Sequence, residues 1–274
     1  MPKEKKLPLK DRDPRFAAMN AEILKMQADM DKAELEAPKD FELPDSYEPF
    51  DEEEVDEFPK TEGLEDGSHK TFYDETTQTR WEFSTKSQLL EGLAQNYYPN
   101  GVLKRELTFD QGVMHGADIH YTSNSKKHME VCFDKGILNG VCKLYKNGNP
   151  TMETEMIAGK KGDWVKNFHV NGGLGTLIRY KNGKMDGVME IFDLDGAKQG
   201  LITYKDGMKE GLQVFYYPNG KIQSETVFIN DQEDGEAKTY YPSGILMQID
   251  YYEKGKRLDH TKIYDQEGRL LMVQ

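Results

Sequence analysis

Three histidines, His115, His120 and His128, fall in one short stretch, and imidazole is the commonest protein ligand for zinc. Their spacing matches no familiar zinc pattern and His115 falls in a turn, so they read as ordinary strand and turn residues and no metal is expected. The chain has two cysteines, Cys132 and Cys142. Their midpoint is the centre of a turn, which predicts that they face each other across adjacent strands on the wetter side of a sheet. Two thiols in a reducing compartment are the expectation, rather than a disulfide. Asp193-Leu194-Asp195-Gly196 begins like a calcium loop, but the acidic ligands that should follow are missing. Gly159-Lys160-Lys161-Gly162 is a turn and not a phosphate loop, and no Gly-x-Ser-x-Gly elbow occurs. Carboxylates are plentiful, but acid–base pairs need a pocket to hold them. The chain therefore reads as a non-enzyme without cofactor.

The elements that carry these residues are set by a period. Gly92, Gly116, Gly140, Gly187, Gly211 and Gly235 recur at spacings of 24, 24, 47, 24 and 24, and self-similarity on that scale marks a repeat architecture. The sequence places the hidden start at Trp164, extends the series upstream to Ser68 and opens a truncated last unit at Asp259. With the start as offset zero, offset five holds Tyr73, Tyr97, Tyr121, Tyr145, His169, Phe192, Tyr216, Tyr240 and Tyr264, against 11% aromatic residues overall. Each unit reads as strand, tight turn, strand, looser turn. Pro218-Asn219-Gly220 is typical of the tight turn, since glycine accepts the positive φ that closes such loops. The expected fold is all-β: an elongated single-layer antiparallel meander of hairpins about 24 residues long. Side chains alternate along a strand, so offsets one, three, five, eleven, fifteen and seventeen are predicted to share one apolar, aromatic face, with the other face mostly wet.

In these features the unit resembles the MORN repeat, in the variant form common in bacterial repeat proteins. Asp206-Gly-Met-Lys-Glu-Gly-Leu-Gln-Val-Phe-Tyr-Tyr-Pro-Asn-Gly-Lys221 is similar to that variant's consensus. The resemblance covers roughly residues 68–274 and is weakest near 68 and 164. It implies a curled single-layer sheet used for binding. Chains of this variant type are often associated with antitoxins, which implies a toxin as a candidate partner.

The first 67 residues differ. They hold 21 acidic and 10 basic residues, net -11 of the chain's -13, leaving -2 for the rest. Residues 1–39 form an arm in which Asp13-Pro14 starts a helix over 14–36. Phe16, Met19, Ile23, Met26, Met30 and Ala33 give that helix a seam, which needs a surface, either the chain's own sheet or a partner. Residues 40–67 read as an acidic disordered linker, or as an acidic–aromatic ligand using Tyr47, Phe50 and Phe58. Residues 68–274 form the repeat domain, with eight units and a truncated cap.

An acidic chain is repelled by nucleic acid and by anionic membranes, so neither is an expected partner. Met1–Lys10 is charged and does not read as a secretory signal, and the expected location is the cytoplasm. The expectation is a protein-binding scaffold, antitoxin-like, whose partner meets Tyr97, Tyr121, Tyr145, Phe192, Tyr216, Tyr240 and Tyr264. The alternative is a membrane-associated or cytoskeletal and ciliary scaffold. Whether these aromatics are core or interface stays open at this level.

Overall fold

The computed structural model describes residues 57–273. The helix expected over 14–36, and Tyr47 and Phe50 with the first part of the acidic linker, lie outside the described residues. Among the described residues 21 strands form one antiparallel sheet, in which each long strand pairs with the one before and the one after it. The hairpin of Gly92–Tyr97 and Leu103–Asp110 shows the unit. Its loop is closed by Gly101 N donating to Tyr98 O at 2.8 Å and Tyr98 N donating to Val102 O at 2.8 Å. Gly101 sits at φ 81°, where a Cβ would be strained.

Strand pairing corrects two unit starts. The first residue of a unit lies opposite the residue at offset seventeen: Gly92 opposite Phe109, Gly116 opposite Phe133, Gly211 opposite Phe228. The first unit starts at Gly67 and not at Ser68: Gly67 lies opposite Thr85, one place past offset seventeen because its loop carries an extra residue. Trp164 lies opposite Arg179, so Asp163 and not Trp164 is the hidden start. Loop length is the cause. The first hairpin loop is one residue longer, with Tyr73 N reaching Gln78 O. The loop after Gly140–Lys146 shrinks to Asn147-Gly148, with φ of 55° and 85°, the two-residue turn that favours Asn-Gly. With these starts, Phe72 and Phe168 take offset five in place of Tyr73 and His169, and all nine residues of that column are aromatic. Tyr73 and His169 belong one column on, where a side chain reaches the next unit's backbone. Tyr98 Oη donates to Tyr121 O at 2.9 Å, Tyr217 Oη to Tyr240 O at 2.7 Å, and His169 Nε2 lies 2.9 Å from Phe192 O.

The same register corrects the faces. Tyr97 opposes Leu103 as the loop length predicts, but Asn96 opposes Arg105, so Lys104 is an extra residue. This bulge recurs at Phe168, Phe192, Tyr216, Tyr240 and Tyr264. It puts offsets thirteen, fifteen and seventeen on one face with offsets two and four, and leaves one, three and five on the other. A second shift falls at each unit start: Leu107 opposes Asp118, but Phe109 opposes Met114, with Gly116 at φ 93° between them. Bulges bend the bulged strand and raise its twist, so two per unit coil a single layer strongly.

The core therefore joins offsets fifteen and seventeen, expected on the apolar face, to offsets two, four and thirteen, expected on the wet one. Ala94, Leu107, Met129, Val131, Met189 and Ile202 are all buried there. It is not purely apolar. Asn96 is buried and its Nδ2 donates to Arg80 O at 3.1 Å. Asp118 is buried under a two-pronged bond from Arg105, with Nε to Oδ1 at 2.9 Å and Nη2 to Oδ2 at 2.7 Å. His120 Nε2 lies 3.0 Å from the same Oδ1. Burial pushes the Asp118 carboxyl up, but these donors outweigh it and hold the group at about 2.

Residues 57–66, read from sequence as the end of the acidic linker, lie against the first hairpins. The Phe58 ring meets Trp81 at 6.1 Å and Phe109 at 5.4 Å between centroids, and the Arg105 guanidinium lies 5.3 Å above it. Leu64 packs on the same cluster. Asp66 Oδ1 accepts from Ser87 N at 2.6 Å, and Thr85 Oγ1 donates to Glu65 O at 2.7 Å.

Candidate protein-binding face

The face opposite the main core is the more exposed one, although Val214 and Ile249 in its middle row are themselves buried, and that row can be followed strand by strand. Offset three and offset fourteen lie directly opposite each other. The row therefore runs Lys70, Glu82, Gln95, Glu106, Ile119, Glu130, Lys143, Glu153, Lys166. It continues Leu177, Glu190, Leu201, Val214, Glu225, Lys238, Ile249, Lys262, Val273. The aromatic column at offset five flanks this row on the same face.

Along the first half the row is polar and internally satisfied. Lys70 Nζ lies 2.6 Å from Glu82 Oε1, Lys127 Nζ 3.0 Å from Glu130 Oε2, and Lys166 Nζ 3.3 Å from Glu153 Oε1. Each of several glutamates also accepts a phenol from the unit that follows. Tyr145 Oη donates to Glu130 Oε2 at 3.0 Å and Tyr240 Oη to Glu225 Oε2 at 2.6 Å. The phenols register this setting. Burial first and then Glu130 push Tyr145 up to about 12, and burial with Glu225 does the same for Tyr240. Tyr97 and Tyr121 are raised by burial, with Glu82 and Glu106 adding to it. Burial would raise Glu130, but the bonds from Lys127 and Tyr145 outweigh it and lower the group.

All seven aromatics expected to meet a partner, Tyr97, Tyr121, Tyr145, Phe192, Tyr216, Tyr240 and Tyr264, lie in this one column and are half-buried. Lys127 Nζ lies 5.8 Å from the centre of the Tyr145 ring and Lys198 Nζ 5.9 Å from that of Phe192. None belongs to the buried core.

The other candidate chemistry disperses. His115 Nδ1 lies 3.4 Å from Asp134 and His120 is held by Asp118. Among the described residues no group of three His, Cys, Asp or Glu is placed to hold a metal ion. Cys132 and Cys142 are both free, and they do not face each other. Glu130 opposes Lys143, one residue out of the register their midpoint implied, so Cys142 turns into the core and Cys132 to the open face. Burial pushes the Cys142 thiol up to about 11. Asp193 serves its turn: Oδ1 accepts from Asp195 N at 3.0 Å and Ala197 N at 2.8 Å.

Two functions escaped sequence reasoning. Acidic residues just before the unit glycine cap the next unit's turn: Glu91 Oε2 accepts from Gln111 N at 2.9 Å, Glu210 Oε2 from Asn230 N at 2.9 Å, and Asp234 Oδ2 from Lys254 N at 3.1 Å. Their recurrence one place before the glycine was a signal available in the period. The glutamates at offset fourteen were available in the same way.

Against families of known repeats, the MORN repeat variant matches at residues 90–111, 209–230 and 233–256. No curated protein matches the chain.

Proposed function

Since this chain belongs to the MORN-repeat family in its variant form, whose repeats are binding scaffolds, we propose that it is a non-enzymatic scaffold that holds a protein partner on its open face. The observation that carries this reading is the division of labour between faces. The core is built from other columns, so the half-exposed aromatics at offset five are spare contact area. Tyrosine offers a broad apolar ring with a polar tip at low entropic cost, which is why it is enriched at interfaces. The partner is a protein, and an antitoxin-like role, with a toxin as the bound molecule, is the form we propose. Two free thiols, one buried, suit a reducing compartment, and we place the protein in the cytoplasm.

Affinity capture with the whole chain as bait, followed by mass spectrometry, tests the reading. A partner retained by the native chain and lost by Tyr121→Ala/Tyr145→Ala, with an unchanged thermal melt, supports it. Retention by the double variant overturns the assignment of the face. Flotation of the chain with anionic liposomes would favour a membrane surface over a protein.

A further inference from the structure

Residues 57–66 lie on the first hairpins, and what they touch is far more enclosed than they are. None of them is buried, and Phe58 is 39% exposed. The rings it packs on, Trp81 and Phe109, are 2% and 5% exposed. Phe58 meets both edge to face, with the Arg105 guanidinium over its own face, so the seat reads both the edge and the face of an aromatic ring. One polar group of the seat goes unused. Trp81 Nε1 is buried without a hydrogen-bond acceptor, whereas an enclosed indole N–H ordinarily has one.

The segment is latched to the turn Ser87-Gln88. Thr61 Oγ1 donates to Gln88 O at 2.7 Å, Gly63 N donates to Gln88 Oε1 at 3.1 Å, and Asp66 Oδ1 accepts from Ser87 N. Ser87 and Gln88 hold φ of 52° and 61°. The equivalent turns further along place glycine second, as in Gln111-Gly112 and Lys135-Gly136, except at Asn230-Asp231. A glutamine in that conformation is strained, and here the bonds from the segment hold it.

We propose that residues 57–66 are a releasable strap, and that the seat of Trp81, Phe109 and Arg105 takes an aromatic side chain from an acidic segment of a partner protein in place of Phe58. The chain's own occupant sets that chemistry, since six of the seven residues 51–57 are acidic. A partner segment of the same make-up brings the same ring to the same guanidinium. A tyrosine hydroxyl or a main-chain carbonyl in it also offers Trp81 the acceptor that Phe58 lacks. Release is local: the strap has no buried residue to expose, and leaving relaxes the Ser87-Gln88 turn. The strap competes in cis at high effective concentration, so the seat is autoinhibited and its apparent affinity is reduced to the open fraction. The seat lies apart from the aromatic column of the open face, so capture through Tyr121 and Tyr145 stands or falls separately.

The test is fluorescence anisotropy with a labelled peptide of residues 51–66 and the full chain. The Phe58→Ala chain should bind this peptide at least tenfold more tightly than the wild type does. The peptide carrying Phe58→Ala should lose binding, and one with its acids before Phe58 changed to amides should bind more weakly. Equal binding by the two chains, or none by the Phe58→Ala chain, overturns the proposal. Equal binding by the amide peptide overturns the acidic part of it. A Phe58→Ala chain that is unfolded also overturns it, because Phe58 would then be core. Native-state hydrogen exchange of the wild type gives an independent check: the Gly63 and Ser87 amides should open at least tenfold more often than the amides of Leu103–Asp110, and exchange only with that strand overturns the strap. Sedimentation at twice 31.5 kDa that is lost in Phe58→Ala would put a second copy's strap in the seat and overturn the assignment to a partner.

Discussion

Leu107 and Leu93 come from neighbouring strands of one hairpin, yet one is 1% exposed and the other 49%. They stand for the two faces of the sheet. On the buried face, side chains are enclosed even though the protein has a single layer, because recurrent bulges coil it. Asp118 there is held by Arg105 and His120. On the open face, rows of mostly half-exposed residues, broken by the buried Val214 and Ile249, pair lysines with glutamates and glutamates with tyrosines. Stability is thus concentrated on one face and recognition capacity on the other, and a column's offset decides which of the two it serves.

The sharpest way to break this comparison is at the buried ion pair. Asp118→Ala leaves Arg105 buried without its carboxylate, and removing one partner of a buried pair costs about 3–5 kcal/mol. Urea denaturation should show that loss, and a cost under about 1 kcal/mol would mean that Arg105 escapes to water. Next comes the leucine pair. Leu107→Ala should cost about 2–5 kcal/mol through lost burial and a residual cavity. Leu93→Ala should stay within about 0.5–1 kcal/mol, as surface changes do. Equal costs would erase the distinction between the faces.

The hairpin period was legible because glycines at positive φ and aromatic residues recur in phase, and each demands a particular backbone site. The same columns located the aromatic row. The faces were not legible, and the reason is local. A bulge needs no dedicated residue here: the extra position holds Lys104, which looks like any exposed strand residue. The buried columns gave no help either, since offset two holds Ala94, Asp118 and Gln213, and offset four holds Asn96, His120 and Phe215. With hydropathy so mixed, the alternation alone could not say which face was inside. One missed residue per hairpin then transferred half the columns to the wrong side. Phe58 was legible only as one side of an alternative: with Tyr47 and Phe50 it marked the acidic run as a possible ligand segment, but nothing in the run distinguished that from a solvated linker. The unit starts at Gly67 and Asp163 were obscured by one-residue changes in two loops.

Acid gives a graded version of the same contrast. The folded Asp118 carboxyl sits at about 2 against an ordinary 3.8. The group thus contributes stability that is fully present above pH 3.8 and is lost as pH falls through 2. The linkage is on the order of 2 kcal/mol. Denaturant midpoints measured from pH 5 to pH 2 should fall more steeply for the native chain than for Asp118→Asn. Parallel curves would show that this carboxylate is not the acid-sensitive element of the core.

The smallest expected effect is on the open face. Tyr145 titrates at about 12, raised first by burial and then by Glu130. Its phenol is therefore harder to ionise in the folded chain, and any stability linked to it is present below the ordinary phenol value of 10 and lost as pH rises through 12. Phenolate absorbance should lose one late-titrating group in Tyr145→Phe, while the unfolding midpoint changes by less than about 1 kcal/mol in equivalent free energy. Glu130→Gln removes only the second cause, so Tyr145 should then titrate earlier but still above 10, because burial persists. If Glu130→Gln instead unfolds the chain, the Tyr–Glu row belongs with the core, and the open face has less area in reserve than its exposure suggests.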